Sequence, residues 1–203
     1  MARSRRSSAD GPTPGSSADA VPDADPHEVA RSICLRQLTL APRTRAQLAS
    51  VLARKGVDEH VALDVLDRLE DVRLIDDAAY AEAWVRSRHA GRGLARRALG
   101  HELRQRGVAE PLVAEALEGV TVEDEHDAAR ALVDRKLAGT RQLGVETRIR
   151  RLVGMLARKG YSGGVAMRVV REALADEREL SLHESQVLAG LDVDLSDAAR
   201  VGE

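Results

Sequence analysis

Seven arginines, Arg86, Arg88, Arg92, Arg96, Arg97, Arg104 and Arg106, crowd a short span that holds a single acid, Glu102. A second span carries Arg135, Lys136, Arg141, Arg148, Arg150, Arg151, Arg158 and Lys159 against Glu146 alone. The chemistry open to such a surplus is binding, because a guanidinium fork pairs two oxygens at once and suits DNA phosphates and protein carboxylates alike. The ordinary explanation of a charge run is a solvated helix face, here neutralised by Asp64, Asp67, Glu70 and Asp71 or by Glu115 and Glu118. Against that explanation, the two spans occupy corresponding places in an internal repeat, and this favours a binding surface. The candidate partner-binding residues are therefore Arg86, Arg88, Arg92, Arg96, Arg97, Arg104 and Arg106, read as one basic second helix of the middle repeat, with Arg148, Arg150, Arg151, Arg158 and Lys159.

Other reactive residue types gather into nothing catalytic. The six histidines, His27, His60, His89, His101, His126 and His183, show no pairing with carboxylates at metal-ligand spacing. Cys34 follows the apolar position Ile33 and lacks an identifiable basic partner, so it reads as a small, partly buried residue. The glycines at 91 to 93 and 162 to 164 lack the lysine and the preceding strand of a phosphate loop and read as inter-helix turns. Asp76 and Asp77 are explained by a helix start. Trp84, Tyr80 and Tyr161 are the only aromatic side chains, and the first two fall at core register positions. Few stacking platforms make nucleic-acid contact secondary and phosphate-mediated. No catalytic, cofactor-binding or metal-binding residue is assigned, and the protein reads as a non-enzyme.

The elements that must position these cations are helices. Of 203 residues 43% are hydrophobic, almost all Ala, Val and Leu, with no Phe, a selection that favours close-packed helices over sheets. One cysteine rules out an intramolecular disulfide. Arg3, Arg5 and Arg6 are not followed by an apolar segment, and no stretch approaches the roughly 18 apolar residues of a membrane span. A cytoplasmic protein without membrane contact is the expectation. The net charge of −2 conceals segregation: residues 176–203 hold eight acids against Arg178 and Arg200, while the region 26–175 carries a surplus of +5.

Within that basic region one phrase recurs: VLARKG ending at Gly56, ELRQRG ending at Gly107, MLARKG ending at Gly160. The flanking apolar positions keep register. Eight and four before each glycine stand Leu48 and Leu52, Leu99 and Leu103, Leu152 and Leu156, one helical stripe three times. A second stripe follows at Val61, Val65 and Leu66, with Leu112, Ala116 and Leu117, then Val165, Val169 and Val170. A third precedes at Val29 and Ile33, Tyr80 and Trp84, Val133 and Leu137. The three glycines sit where helix C-termini need a left-handed residue. Thr44, Asp58 and Asp76 are N-cap candidates, and Pro111 suits a first turn.

The stretch from Arg73 to Gly107 resembles the signature of the RecX family: Leu74, Ile75, Asp76 and Asp77, then Tyr80, Ala81 and Trp84, then Gly91 to Gly93, ending in Leu-x-x-x-Gly at Gly107. The flanking LARKG phrases are similar to that family's tandem repeats, and the resemblance covers residues 26–175. It implies a regulator that binds the RecA nucleoprotein filament in its helical groove and damps strand exchange, ATP hydrolysis and co-protease activity.

The expected architecture is all-α, with three tandem three-helix repeats forming an elongated, curved modular array. A leader spans 1–25, repeats span 26–75, 76–122 and 123–175, and an acidic tail over 176–203 is predicted to hold one short helix around Leu180 to Leu191. The expected partner is the RecA filament, with DNA secondary, bound by a monomer without cofactor. The competing reading is a direct DNA-binding protein that uses helix-turn-helix-like basic helices.

Overall fold

The computed structural model describes the backbone of residues 25–200 and side-chain surroundings as far as residue 186; the expected leader, apart from Asp25, lies outside the described residues. Among the described residues there are nine α-helices, one 3-10 turn and no strand. They fall in threes: α1 (Pro26–Leu40), α2 (Arg45–Arg54) and α3 (Glu59–Asp71); α4 (Asp77–Arg92), α5 (Arg96–Gln105) and α6 (Glu110–Glu118); α7 (Val122–Leu137), α8 (Val145–Arg158) and α9 (Gly163–Arg200), with the 3-10 turn Ala138–Thr140 before α8.

Starts and stops obey local chemistry. Thr44 accepts from the Gln47 N–H while Gln47 accepts in return, a capping box on α2; Asp58 caps α3 and Asp76 caps α4. Pro111 stands in the first turn of α6. Gly56, Gly107 and Gly160 close α2, α5 and α8 in the left-handed conformation, at φ 74°, 76° and 93°. The stop of α3 has no such signal, since Arg73 adopts φ 56° where glycine would be cheaper.

Each unit has its own core. Leu48, Leu52 and Leu66 centre the first, Leu99, Leu103 and Val113 the second, and Leu152, Leu156, Val169 and Val170 the third. Leu103 is 0% exposed, and Leu103→Ala is expected to cost about 2–5 kcal/mol by opening a cavity. Urea unfolding measures it, and a loss under about 1 kcal/mol would contradict the packing.

The stripe expected on the first helices requires correction. Val29 is 42% exposed, and Ile33, Tyr80, Trp84 and Leu137 are half-buried; of the six, Val133 alone is buried. The buried positions of α1 and α4 lie one residue later, at Ala30, Cys34, Ala81 and Val85. Small residues let these helices approach their neighbours closely, and the larger residues flank the contact. Cys34 is consequently fully buried, and its thiol is pushed up by desolvation. In the third unit the 3-10 turn and a longer α8 shift the register back to Ala129, Leu132 and Val133.

The glycine runs also differ from expectation. Gly91 lies within α4 and Gly163 and Gly164 within the first turn of α9, while Gly93 ends α4 at φ 59°. The tail does not restart as a separate helix around Leu180. Residues 165 to 189 contain neither Gly nor Pro, and α9 runs unbroken from Gly163 to Arg200.

The repeats meet through one recurring joint. At the first, the Thr44 hydroxyl donates to the Arg106 carbonyl (2.6 Å), and a Cβ added at Gly107 would overlap the Ala46 methyl. At the second, the Ala95 N–H donates to the Lys159 carbonyl (3.0 Å), and a Cβ added at Gly160 would lie 2.6 Å from that of Ala98. A carboxylate of the following repeat completes each joint by accepting the first helical N–H: Asp77 from Arg45 (2.9 Å) and Glu125 from Arg96 (2.8 Å). In both, the left-handed glycine of one repeat is seated on the opening turn of the second helix of the repeat before it.

Candidate functional site

The basic span of the middle repeat is not one helix. Arg86, Arg88 and Arg92 belong to α4, Arg96, Arg97 and Arg104 to α5, and Arg106 is the C-cap of α5. The left-handed Gly93 turns the chain between them, and its missing Cβ makes room for Leu132 of α7.

The structure divides the twelve candidate cations by what already holds them. Arg96 donates to the Val120 carbonyl (3.0 Å), Arg106 to the Glu102 carbonyl (2.8 Å), and Lys159 Nζ to the Arg92 carbonyl (2.7 Å). Arg148 is 12% exposed and is tied to Glu177 and to the Thr140 hydroxyl. These four build the fold. Arg104 pairs with Glu110 through both Nε and a terminal nitrogen, and Arg150 pairs with Glu146 at 3.2 Å. The like-charged surface is thereby thinned, although exposed pairs of this kind are held weakly. Arg86, Arg92, Arg97, Arg151 and Arg158 are exposed, and none takes part in an ion pair among the described residues.

Two grooves concentrate cations without a carboxylate. One, of about 380 Å³, lies between α7 and α8 and joins Arg151 and Arg158 to Lys136, which was not among the expected site residues. The other, of about 410 Å³, runs along the first joint and is lined by Arg43, Arg54, Arg104 and Arg106. Arg43 also lines the neighbouring groove beside Trp84, and its buried Nε has no acceptor among the described residues. The signal that could have drawn attention to Lys136 was its place beside Arg135 in the basic span that ends α7; for Arg43 it was proximity to the joint, which no local pattern carries.

Trp84 is neither a core residue nor an open stacking platform. The guanidinium of Arg88 lies 4.1 Å and that of Arg106 3.6 Å from its ring centroid, Tyr80 stacks at 5.9 Å, and the indole N–H donates to Glu102 (2.9 Å). Tyr161 is buried at the second joint, where its hydroxyl donates to the Gly93 carbonyl (3.1 Å); desolvation pushes its pKa up to about 12. Trp84 and Tyr161 are thus engaged within the protein, while Tyr80 stacks on Trp84 and lines the groove beside it. Among the described residues no group of three or more His, Cys, Asp or Glu is placed to hold a metal ion.

Two carboxylates report on the frame around these grooves. Burial raises the pKa of Asp77 above the ordinary aspartate value, opposed by the Arg45 N–H that it accepts. Hydrogen bonding from Arg141, together with Arg148, lowers that of Glu177. A lowered folded-state pKa stabilises the fold fully at neutral pH, and that stability is lost as pH falls through Glu177's own pKa, below the ordinary glutamate range. Thermal melts of Glu177→Gln and the wild type are expected to differ at pH 7 and to converge in acid. A difference that persists unchanged through the acid range would contradict the ion pair.

The chain matches family models described as RecX, first three-helix domain, over residues 30–69, RecX, second three-helix domain, over 76–117, and RecX, third three-helix domain, over 123–170. It is 56% identical over 162 residues to Regulatory protein RecX of Streptomyces coelicolor, covering 80% of this chain and 86% of that relative. It is also 56% identical over 168 residues to the protein of that name from Thermobifida fusca, covering 83% and 89%. The crystal structure of RecX from Lactobacillus salivarius is similar in fold, with a TM-score of 0.68 at 20% identity over 74% of this chain and 97% of the other. A second crystal structure, of a regulatory protein RecX, is similar at a TM-score of 0.65 and 27% identity over 72% of each chain.

Proposed function

The chain belongs to the RecX family of regulatory proteins, and from that premise we propose that it binds the RecA–DNA nucleoprotein filament along its helical groove. Bound there, it restrains strand exchange, ATP hydrolysis and co-protease activity, and so holds back recombination and the SOS response. It works by occupancy, as a cytoplasmic monomer without chemistry of its own. The observation that carries this reading is the match of all three units to one regulatory family, with relatives at 56% identity over four fifths of the chain. The five arginines without an ion pair among the described residues and the two grooves lined without a carboxylate support it, since they offer guanidiniums to an acidic or phosphate-bearing partner. Among the described residues no helix is long and apolar enough to cross a membrane.

The experiment is an assay of DNA-stimulated ATP hydrolysis by RecA, titrated with this protein. Hydrolysis is expected to fall saturably with added protein, and a rate unchanged at molar excess would overturn the reading. The groove between α7 and α8 also has the composition of a phosphate site, which keeps direct DNA binding as the second reading. Salt decides between them: phosphate-driven binding to bare duplex loses about 0.9 log units of affinity per log unit of salt for each contact. Tight, steeply salt-sensitive binding to naked DNA with none to the filament favours the second.

A further inference from the structure

We infer that the outer face of the first repeat, built from α1 and the Lys55–Gly56 turn, is a docking surface for the opening turn of an α-helix on the partner protein. The inference deepens the proposed function and rests on it for the identity of the partner, the filament's own protomer.

The argument comes from the joints. Six residues of α4 line the groove by which the second repeat faces the first: Ala79, Tyr80, Ala83, Trp84, Ser87 and Arg88. Across that groove stand Leu38, Ala41, Pro42 and Arg43, the end of α1 and the link into α2. Counting back by the interval that separates Gly107 from Gly56 reaches Glu28, Val29, Ser32, Ile33, Arg36 and Gln37. Those six residues line a groove of about 520 Å³ on the first repeat, completed by Val51 and Lys55. The same face is therefore formed twice, and in the first repeat nothing among the described residues stands opposite it.

The glycine turns say the same. Space for a Cβ is closed at Gly107 by Ala46 and at Gly160 by Ala98, whereas at Gly56 nothing among the described residues lies within 4 Å. The residue after each glycine follows suit: Val108 and Tyr161 are 5% and 2% exposed, and Val57 is half-buried. Val29 remains 42% exposed beside them.

What fits such a face is given by what the chain seats on it elsewhere. Each occupant is a helix start with alanine at its second or third position, an N-cap donor for the glycine-turn carbonyl, and a first N–H for a carboxylate. The Lys55 carbonyl supplies the acceptor that matches that of Arg106; Pro26 takes the place of Asp77, and the nearest carboxylate, Glu28, pairs with Arg31. A second copy does not fit, because among the described residues its one unoccupied second helix is α8, which begins at Val145, ahead of the seat. Counted back from the glycine, Arg150 and Arg151 take the places of Ala46 and Ala98 and would face Arg54, Lys55 and Arg36. The occupant is a helix of another protein with small residues in its first turn.

The test uses the full chain and RecA filament assembled on single-stranded DNA with a slowly hydrolysed ATP analogue. Binding is measured for the wild type, Val29→Asp and Gly56→Asn, and amide exchange is followed by mass spectrometry. Asn accepts the left-handed conformation, and position 29 is exposed, so both variants are expected to melt as the wild type does. The expected result is binding weakened at least about 10-fold in each variant, about 1.4 kcal/mol, and slowed exchange over residues 28–37 and 51–57 on filament binding. Wild-type-like binding by both variants, with that face exchanging freely on the bound filament, overturns this inference alone. Failure of the wild type to bind the filament overturns the proposed function and this surface together.

Discussion

Gly160→Ala is expected to destabilise the protein by about 2–5 kcal/mol, and Gly56→Ala by about 1 kcal/mol. The two glycines share a sequence context and a left-handed backbone, at φ 93° and 74°, so the strain of giving a side chain that conformation is common to both. What differs is the neighbour. A Cβ at 160 would lie 2.6 Å from the Ala98 Cβ and 2.8 Å from its backbone nitrogen, and backbone held in α5 cannot yield without breaking the adjoining bond from Ala95 to Lys159. Gly107→Ala is expected to cost as much as Gly160→Ala, because its added Cβ would overlap the Ala46 Cβ, which the α2 main chain holds in place. Urea unfolding of the three variants measures the series. Equal losses at all three would mean that the turns are not wedged between repeats.

That ordering also marks where sequence reading stopped. Helical periodicity, caps and left-handed glycines are local, so the three units and the conformation of Gly56, Gly107 and Gly160 were legible from the sequence. What each glycine touches is not local, and identical LARKG phrases end in unlike surroundings: Gly160 is seated on Ala98, while nothing among the described residues is seated against Gly56. The aromatic stripe misled for a related reason. Tyr80 and Trp84 have the spacing of core residues and do pack against the core of the middle repeat, yet its buried positions on α4 are Ala81 and Val85, and the rings remain half-buried at its edge beside the joint. Counting cations could not separate Arg148 from Arg151, since the distinction is made by Glu177 on a different helix. Nor could composition foresee that Arg96 and Lys159 are spent on carbonyls at the joints.

The third repeat does not offer the seat that the first two offer. In the first two repeats the second helix opens with a small residue against which the next glycine is seated. In the third, α8 begins earlier, at Val145, and carries Arg150 and Arg151 at the matching places, while α9 continues past its start with Glu177 held by Arg141 and Arg148. A fourth glycine turn would meet guanidiniums there. The third repeat thus presents guanidiniums where the first two present a small residue.

From this sorting the second large effect follows. Replacing Arg92, Arg97, Arg151 and Arg158 together by alanine is expected to raise the concentration needed for half-inhibition of RecA ATP hydrolysis by about 10- to 1000-fold, with melting temperature preserved, since rim charges each contribute modestly and add when well separated. All four are exposed and hold no ion pair among the described residues, so nothing in the fold is lost with them. Arg96, Arg106 and Arg148 serve as the contrast: each is bonded within the protein, and their replacement is expected to lower the melting temperature before it alters inhibition. The salt dependence of the quadruple variant then identifies the oxygens. If these arginines meet DNA phosphates, the slope of log affinity against log salt falls by about 0.9 for each lost contact; if they meet carboxylates on the recombinase, affinity drops with a smaller change in slope. Inhibition that survives all four replacements would mean that the arginine surplus is a solvated face, and that the joints and the outer face of the first repeat carry the binding.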